Sequence, residues 1–302
     1  MVDRAAKDRA LRIERLANML NTGLANPPAA IEMLICELEA GNKQDHLWEG
    51  MHVAAAEGGK EKDLATAYRT LSTGRRLKQL PPDISAEVLI HAAHFFQGML
   101  GDVETAEKFL MAALAASPTH LDAFERLEKK YEALPDKRKL LALYGKVGSN
   151  PPKPAVELAG KAVNALVPLT AKTPLDDDAC RGLALLGSSS LLEALEAHCL
   201  KTGRAKLACT VLELGLQIGK LPEASAVERR RRLVDLYIGD AGQPEKSIDH
   251  VEILLQRDSQ DPAARAATKK LLAIRTLADR VMAVLQDVRL QSRPPPPPNA
   301  RD

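Results

Sequence analysis

His91 and His94 stand three residues apart, the spacing that puts two imidazoles on one helix face where they can share a metal ion. On this reading no Cys, Asp or Glu of the same helix completes a ligand set. They are expected to be groove or core histidines, with no metal and no cofactor. His198 beside Cys199 joins an imidazole to a thiol, but neighbouring helical side chains diverge by about 100°, so a buried thiol is expected there rather than a nucleophile. Asp176-Asp177-Asp178 offers three carboxylates, which at a helix start complement the positive end of the dipole rather than gather a cation. The strongest charge run is Arg229-Arg230-Arg231-Arg232 within ERRRRLVD, a candidate basic patch for phosphates or an acidic partner. On a helix those four spread around most of the circumference, with Glu228 and Asp235 beside them, so a solvated or internally paired stripe is the first expectation. Phosphate loops, dinucleotide fingerprints, H-E-x-x-H and G-x-S-x-G patterns do not occur. No active site emerges, and the chain reads as non-enzymatic.

Helices must position these groups. Of 302 residues, 45% are apolar but only 3% aromatic, and alanine and leucine recur throughout, which suits close helix-on-helix contact better than sheet layers. A formal charge of +2 gives no global field toward nucleic acid or an anionic membrane. The opening MVDRAAKDRALRIERLANML has charges along its length, so it reads as neither signal peptide nor anchor. No run of about 18 apolar residues occurs, so no membrane insertion is expected. Cys36, Cys180, Cys199 and Cys209 are scattered without C-x-x-C spacing, which fits reduced thiols and a cytoplasmic location.

The apolar spacing predicts helices over 4–20, 28–41, 45–57, 61–77, 83–100, 102–116, 120–133, 136–148, 153–167, 175–187, 189–201, 204–219, 223–239, 243–257, 261–273 and 276–290. Asp45, Asp83, Asp102 and Asp136 are candidate N-terminal caps, and Pro27-Pro28 presets the first turn of its helix. Gly101, Gly203 and Gly242 are expected in left-handed turns between partners. The closing RPPPPPNARD cannot continue a helix, so the folded part should end near Leu290.

A longer period runs through these helices. Phe124, Leu127 and Tyr131 form one set of bulky residues, preceded by Leu100-Gly101-Asp102, Ala106, Leu110, Ala113 and Pro118. Steps of 34 residues from Phe124 reach Ile90 backward and Leu158 and Leu192 forward, all apolar. Leu195, Gly203, Ala208, Leu212 and Gly215 keep that register, while Trp48, Met51, Tyr68 and Leu71 repeat it more weakly. The pattern resembles the tetratricopeptide repeat, an antiparallel helix pair that stacks on the next. The resemblance covers about 45–290 and lapses near 167–190. It implies an all-α fold, a right-handed α-solenoid of about 15–16 helices, with an N-terminal helical cap over 1–44, the repeats over 45–290 and a Pro-rich disordered tail over 291–302.

Members of that family bind peptides or protein segments in a concave groove lined by the first helix of each pair. The resemblance therefore implies an adaptor or scaffold with a protein or peptide partner, and places His91, Phe95, Asp122, Glu125, Lys129 and Glu193 at groove positions. Phe95 is the leading contact residue, as an exposed aromatic of large area. Matched Lys, Asn and Arg positions, which a carboxylate clamp needs, are absent. Two alternatives stand beside the adaptor: a nucleic-acid-associated repeat protein using Arg229–Arg232, and a small-ligand sensor with a pocket near 167–190.

Overall fold

The computed structural model describes residues 9, 11–13, 15–16, 18–19, 24–43, 45–170, 172–218 and 222–291, and among them contains helices and their connections but no strand. The expected helix over 4–20 lies largely outside the described residues, and the proline run 294–298 wholly so. The chain divides into two compact units, 1–133 and 134–302. In the first are α1 (Pro27–Glu39), α2 (Asp45–Glu57), α3 (Glu61–Thr73), α4 (Arg75–Gln79), α5 (Pro82–Gly98), α6 (Val103–Ala116) and α7 (Leu121–Glu132). The second holds α8 (Arg138–Val147), α9 (Ala155–Leu166), α10 (Asp177–Ala184), α11 (Ser189–Lys201), α12 (Ala205–Gln217), α13 (Glu223–Ile238), a 3-10 turn (Pro244–Lys246), α14 (Ser247–Arg257), α15 (Pro262–Leu272) and α16 (Ala278–Gln291).

Helix ends follow from side chains that satisfy orphan backbone donors. Asn26, Asp102, Asp176 and Asp261 each accept a backbone N–H three residues on, at 2.9–3.2 Å. Pro27-Pro28 fills the first turn of α1. Gly101 (φ +63°), Gly203 (+72°) and Gly242 (+60°) take the left-handed conformation expected of them. Of the four aspartates expected as caps only Asp102 is one; Asp45 is the first residue of α2, and Asp136 precedes the Lys137 cap position of α8 and accepts the Arg138 N–H at 3.0 Å. The stretch 61–77 is not one helix, because Gly74 turns extended at ψ 169° and separates α3 from α4. Asp83 lies inside α5 rather than at its cap, and its Oδ1 accepts the Ser117 hydroxyl at 2.7 Å.

In the first unit α5 touches α1, α3 and α6, so it is covered nearly all round. Val88, Leu89, Ile90, Ala92, Ala93, Phe95 and Phe96 are all buried on it. Phe124, Leu127 and Tyr131 of α7 are buried as well, and so are Leu158 of α9 and Leu192 of α11 in the second unit.

The second unit has one unusual contact. Helix α8 lies chiefly against α10 rather than against its immediate successor α9. Three glycines allow it. A Cβ on Gly145 would stand 2.7 Å from the Ala179 carbonyl oxygen, and Cβ atoms on Gly148 and Gly182 would fall on the carbonyls of Gly182 and Gly145. Only bare backbone fits at that crossing. At the other end of the unit, α13–α16 close over a core of Val234, Ile248, Val251, Leu254, Leu271 and Val281. No helix among the described residues is long and apolar enough to cross a membrane.

Candidate functional site

The densest set of chemically capable side chains lies in the first unit. Glu87 and His91 stand one turn apart on α5, and Asp45, the first residue of α2, meets them there. One donor atom from each lies within 4.8 Å of the other two. His91 Nε2 is 3.7 Å from Asp45 Oδ1, beyond hydrogen-bonding range, and this buried nitrogen has no hydrogen-bond partner. The imidazole stacks on the Trp48 indole, centroids 4.5 Å apart and planes 3° from parallel, so its orientation is fixed. His120 Nε2 donates to Glu87 Oε2 at 3.1 Å, and Lys43 Nζ approaches Glu87 Oε1 at 3.4 Å.

The electrostatics of the site follow from burial and these partners. The His120 hydrogen bond, helped by Lys43, holds the Glu87 carboxyl down at about 2 despite partial burial. Burial lowers His91 to about 4, with the His94 charge acting the same way, so its imidazole is neutral at pH 7. Glu87 and His120 also line a cleft of about 470 Å³ with Leu38, Lys43, Asp83, Ile84, Leu121 and Asp122.

Behind it lies an aromatic cluster. His52 Nε2 and the Tyr68 hydroxyl share a hydrogen bond of 2.8 Å, and the Phe95 ring lies 5.2 Å from the His52 ring and 5.7 Å from that of Tyr68. Burial lowers His52 to about 3. Phe95 is fully buried, which corrects its assignment as an exposed contact residue; α5 is covered on the face expected to line a groove. His91 is buried too and is not a groove residue. His94 does not join His91 in a donor set; the two rings stand edge to face at 6.1 Å, and the partners of His91 are Glu87 and Asp45. Glu87 stands on the same helix, which corrects the expectation that no acidic residue of that helix would join His91; its i−4 spacing was the signal. Asp45 comes from another helix and left no such signal.

The remaining expected residues separate into an outer face and a paired cluster. Asp122, Glu125 and Lys129 are exposed together on α7, and Glu193 is exposed on α11. The arginine run does not form a continuous basic face. Arg229 is buried beside Gly215 and Leu192, and its Nη1 has no hydrogen-bond partner. Arg230 Nη1 donates to His250 Nδ1 at 3.2 Å. Arg231 grips the buried Asp261 carboxylate at 2.7 Å, and Arg232 pairs with Glu196. The cause is the 100° step between successive residues, which sends each guanidinium toward a different neighbour.

His198 and Cys199 point apart: His198 Nε2 accepts the Leu175 backbone N–H at 3.2 Å, while Cys199 is buried. Cys180 and Cys199 share a hydrogen bond that raises the Cys180 thiol and lowers that of Cys199, and both are buried among the helices. Asp176 caps α10, and Asp178 pairs with Arg181 at 3.0 Å. No family model matches the chain, and no curated protein sequence matches it.

Proposed function

We propose that the protein is a non-enzymatic adaptor of paired helices, tetratricopeptide-like, that holds a segment of a protein partner on the first unit. The observation that carries this reading is the cleft beside α7. Leu121 is exposed and lines it together with Ile84 and Leu38, while the Asp83 and Asp122 carboxylates at its edge are engaged by Ser117 and Arg126. An extended segment that inserts an apolar side chain fits that surface. Asp122, Glu125 and Lys129 continue outward from it along α7.

The repeat supports the same reading. Each 34-residue step from Ile90 through Phe124, Leu158 and Leu192 moves to the next helix but one, α5, α7, α9 and α11, and lands on a buried residue. Such stepping suits a series of helix pairs, although α8 lies on α10 where the register would pair α9 with α10. The nucleic-acid alternative has lost its cationic face, because Arg230, Arg231 and Arg232 have partners within the chain. The ligand pocket sought near 167–190 meets packed leucines instead, Leu169, Leu175, Leu183 and Leu186 all being buried.

Affinity capture from lysate of the native host, comparing the wild type with the Leu121→Asp/Asp122→Lys double variant, tests the reading. A partner bound by the wild type and lost by the folded variant, with the loss reproduced between purified proteins, is expected. An unchanged set of captured proteins refutes the α7 surface.

A further inference from the structure

We propose that Asp45, Glu87 and His91 form a binding site for a divalent transition-metal cation, such as Zn2+, at the edge of the first unit. One imidazole nitrogen and two carboxylates are a donor set that suits zinc and its first-row neighbours. Glu87 and His91, at i and i+4 of α5, supply two ligands from one helix face, and Asp45 supplies the third from α2.

The separations agree with such an ion. A cation about 2.1 Å from each donor joins atoms at most about 4.2 Å apart. His91 Nε2 and Asp45 Oδ1 already meet that limit at 3.7 Å, and all three donors lie within 4.8 Å. A small rotation of a carboxylate closes the remainder, and the Asp45 side chain, 69% exposed, is free to turn.

His91 is the second, independent observation. Its Nε2 is buried and without a hydrogen bond, an arrangement that costs free energy unless something occupies the lone pair. Asp45 is too distant to accept a hydrogen bond from it, while stacking on Trp48 holds the ring facing the two carboxylates. Hydrogen bonding from His120 steadies Glu87 in the way that outer partners steady metal-binding carboxylates. Lys43 must withdraw from Glu87 when the cation enters, and its largely exposed chain can do so. His94 and His52 are the remaining titratable neighbours, and both stand outside the donor set.

Trp48, the single tryptophan of the chain, lies against His91 and therefore reports on this site and not on the cysteines of the second unit. The full chain, freed of metal with a chelator, is titrated with Co2+ while Trp48 fluorescence is followed, and Zn2+ is then added in competition. Saturable quenching by one Co2+ per chain, reversed by Zn2+, is expected. Asp45→Asn and Glu87→Gln, which keep the size of each side chain, should each weaken binding by about tenfold or more with unchanged circular dichroism. His91→Gln should abolish the quenching. Absence of saturable quenching at millimolar Co2+, or equal affinity in the folded Asp45→Asn and Glu87→Gln variants, overturns the site.

Discussion

Mild acid should destabilise the first unit through its buried imidazoles. His52 faces Tyr68, Phe95, His91 and His94, while His91 faces Trp48, Asp45, Glu87, Lys43 and His94. Burial takes them from 6.5 to about 3 and about 4 respectively. At pH 5 both are therefore neutral in the fold and protonated in the unfolded chain. The unfolded chain binds protons that the folded one refuses, and stability falls as pH drops from about 6.5 toward those lowered values. At about 1.36 kcal/mol per pH unit, roughly 1.5 units below the ordinary value gives about 2 kcal/mol for each imidazole, about 4 kcal/mol together. That is a large part of the stability of a typical domain, about 5–15 kcal/mol. Glu87 does not confuse the measurement. Its ionised form is the favoured one, and its contribution is complete above 4.5 and lost only as pH falls through about 2. Urea unfolding followed by Trp48 fluorescence at pH 7 and pH 5 reads the first unit alone. His52→Gln, which cannot titrate, should show about half the wild-type difference. A wild-type loss below about 1 kcal/mol, or an unchanged difference in the variant, would refute the reasoning.

Three further outcomes are expected. Phe95→Ala should cost about 3–5 kcal/mol by opening a cavity in the first unit, whereas Lys129→Glu on the exposed face of α7 should stay within about 0.5 kcal/mol, both read by the same unfolding assay. Asp261→Ala removes the cap of α15 and the acceptor of Arg231 together, so a loss of about 2–4 kcal/mol should appear in urea unfolding followed by circular dichroism. Gly182→Ala should lose about 1–3 kcal/mol or fail to fold, because its methyl meets the Gly145 carbonyl, while Gly160→Ala in open space on α9 should gain about 0.5–1 kcal/mol; thermal melts separate the two.

Helix positions were legible because apolar spacing, capping aspartates and left-handed glycines are local signals, and α2, α11 and α13 illustrate how closely they locate an element. The inward set was legible for the same reason: Phe124, Leu127 and Tyr131 share one face of α7. Periodicity fails where a helix is covered on several sides. On α5 buried apolar residues occupy most of the circumference, with only the stripe of Asp83, Glu87, His91 and His94 interrupting them, and Phe95 lies off that stripe and inside. Contacts between distant segments left no local trace either. Asp45 reaches His91 across the α2–α5 packing, and the α8–α10 crossing depends on three glycines whose meeting no periodicity announces.

The four arginines of α13 have a mechanical consequence. Consecutive residues of a helix are spokes set about 100° apart, and here the spokes engage α11 and α12, then α14, then the start of α15, then α11 again. A half-turn of α13 would unseat all four at once and carry Leu233, Val234 and Leu236 out of the core with them. The partners of these side chains thus lie on several sides of α13 and reinforce the angular setting that its buried apolar face selects. The densest positive charge in the sequence is, in the folded chain, an index mark for the way α13 faces.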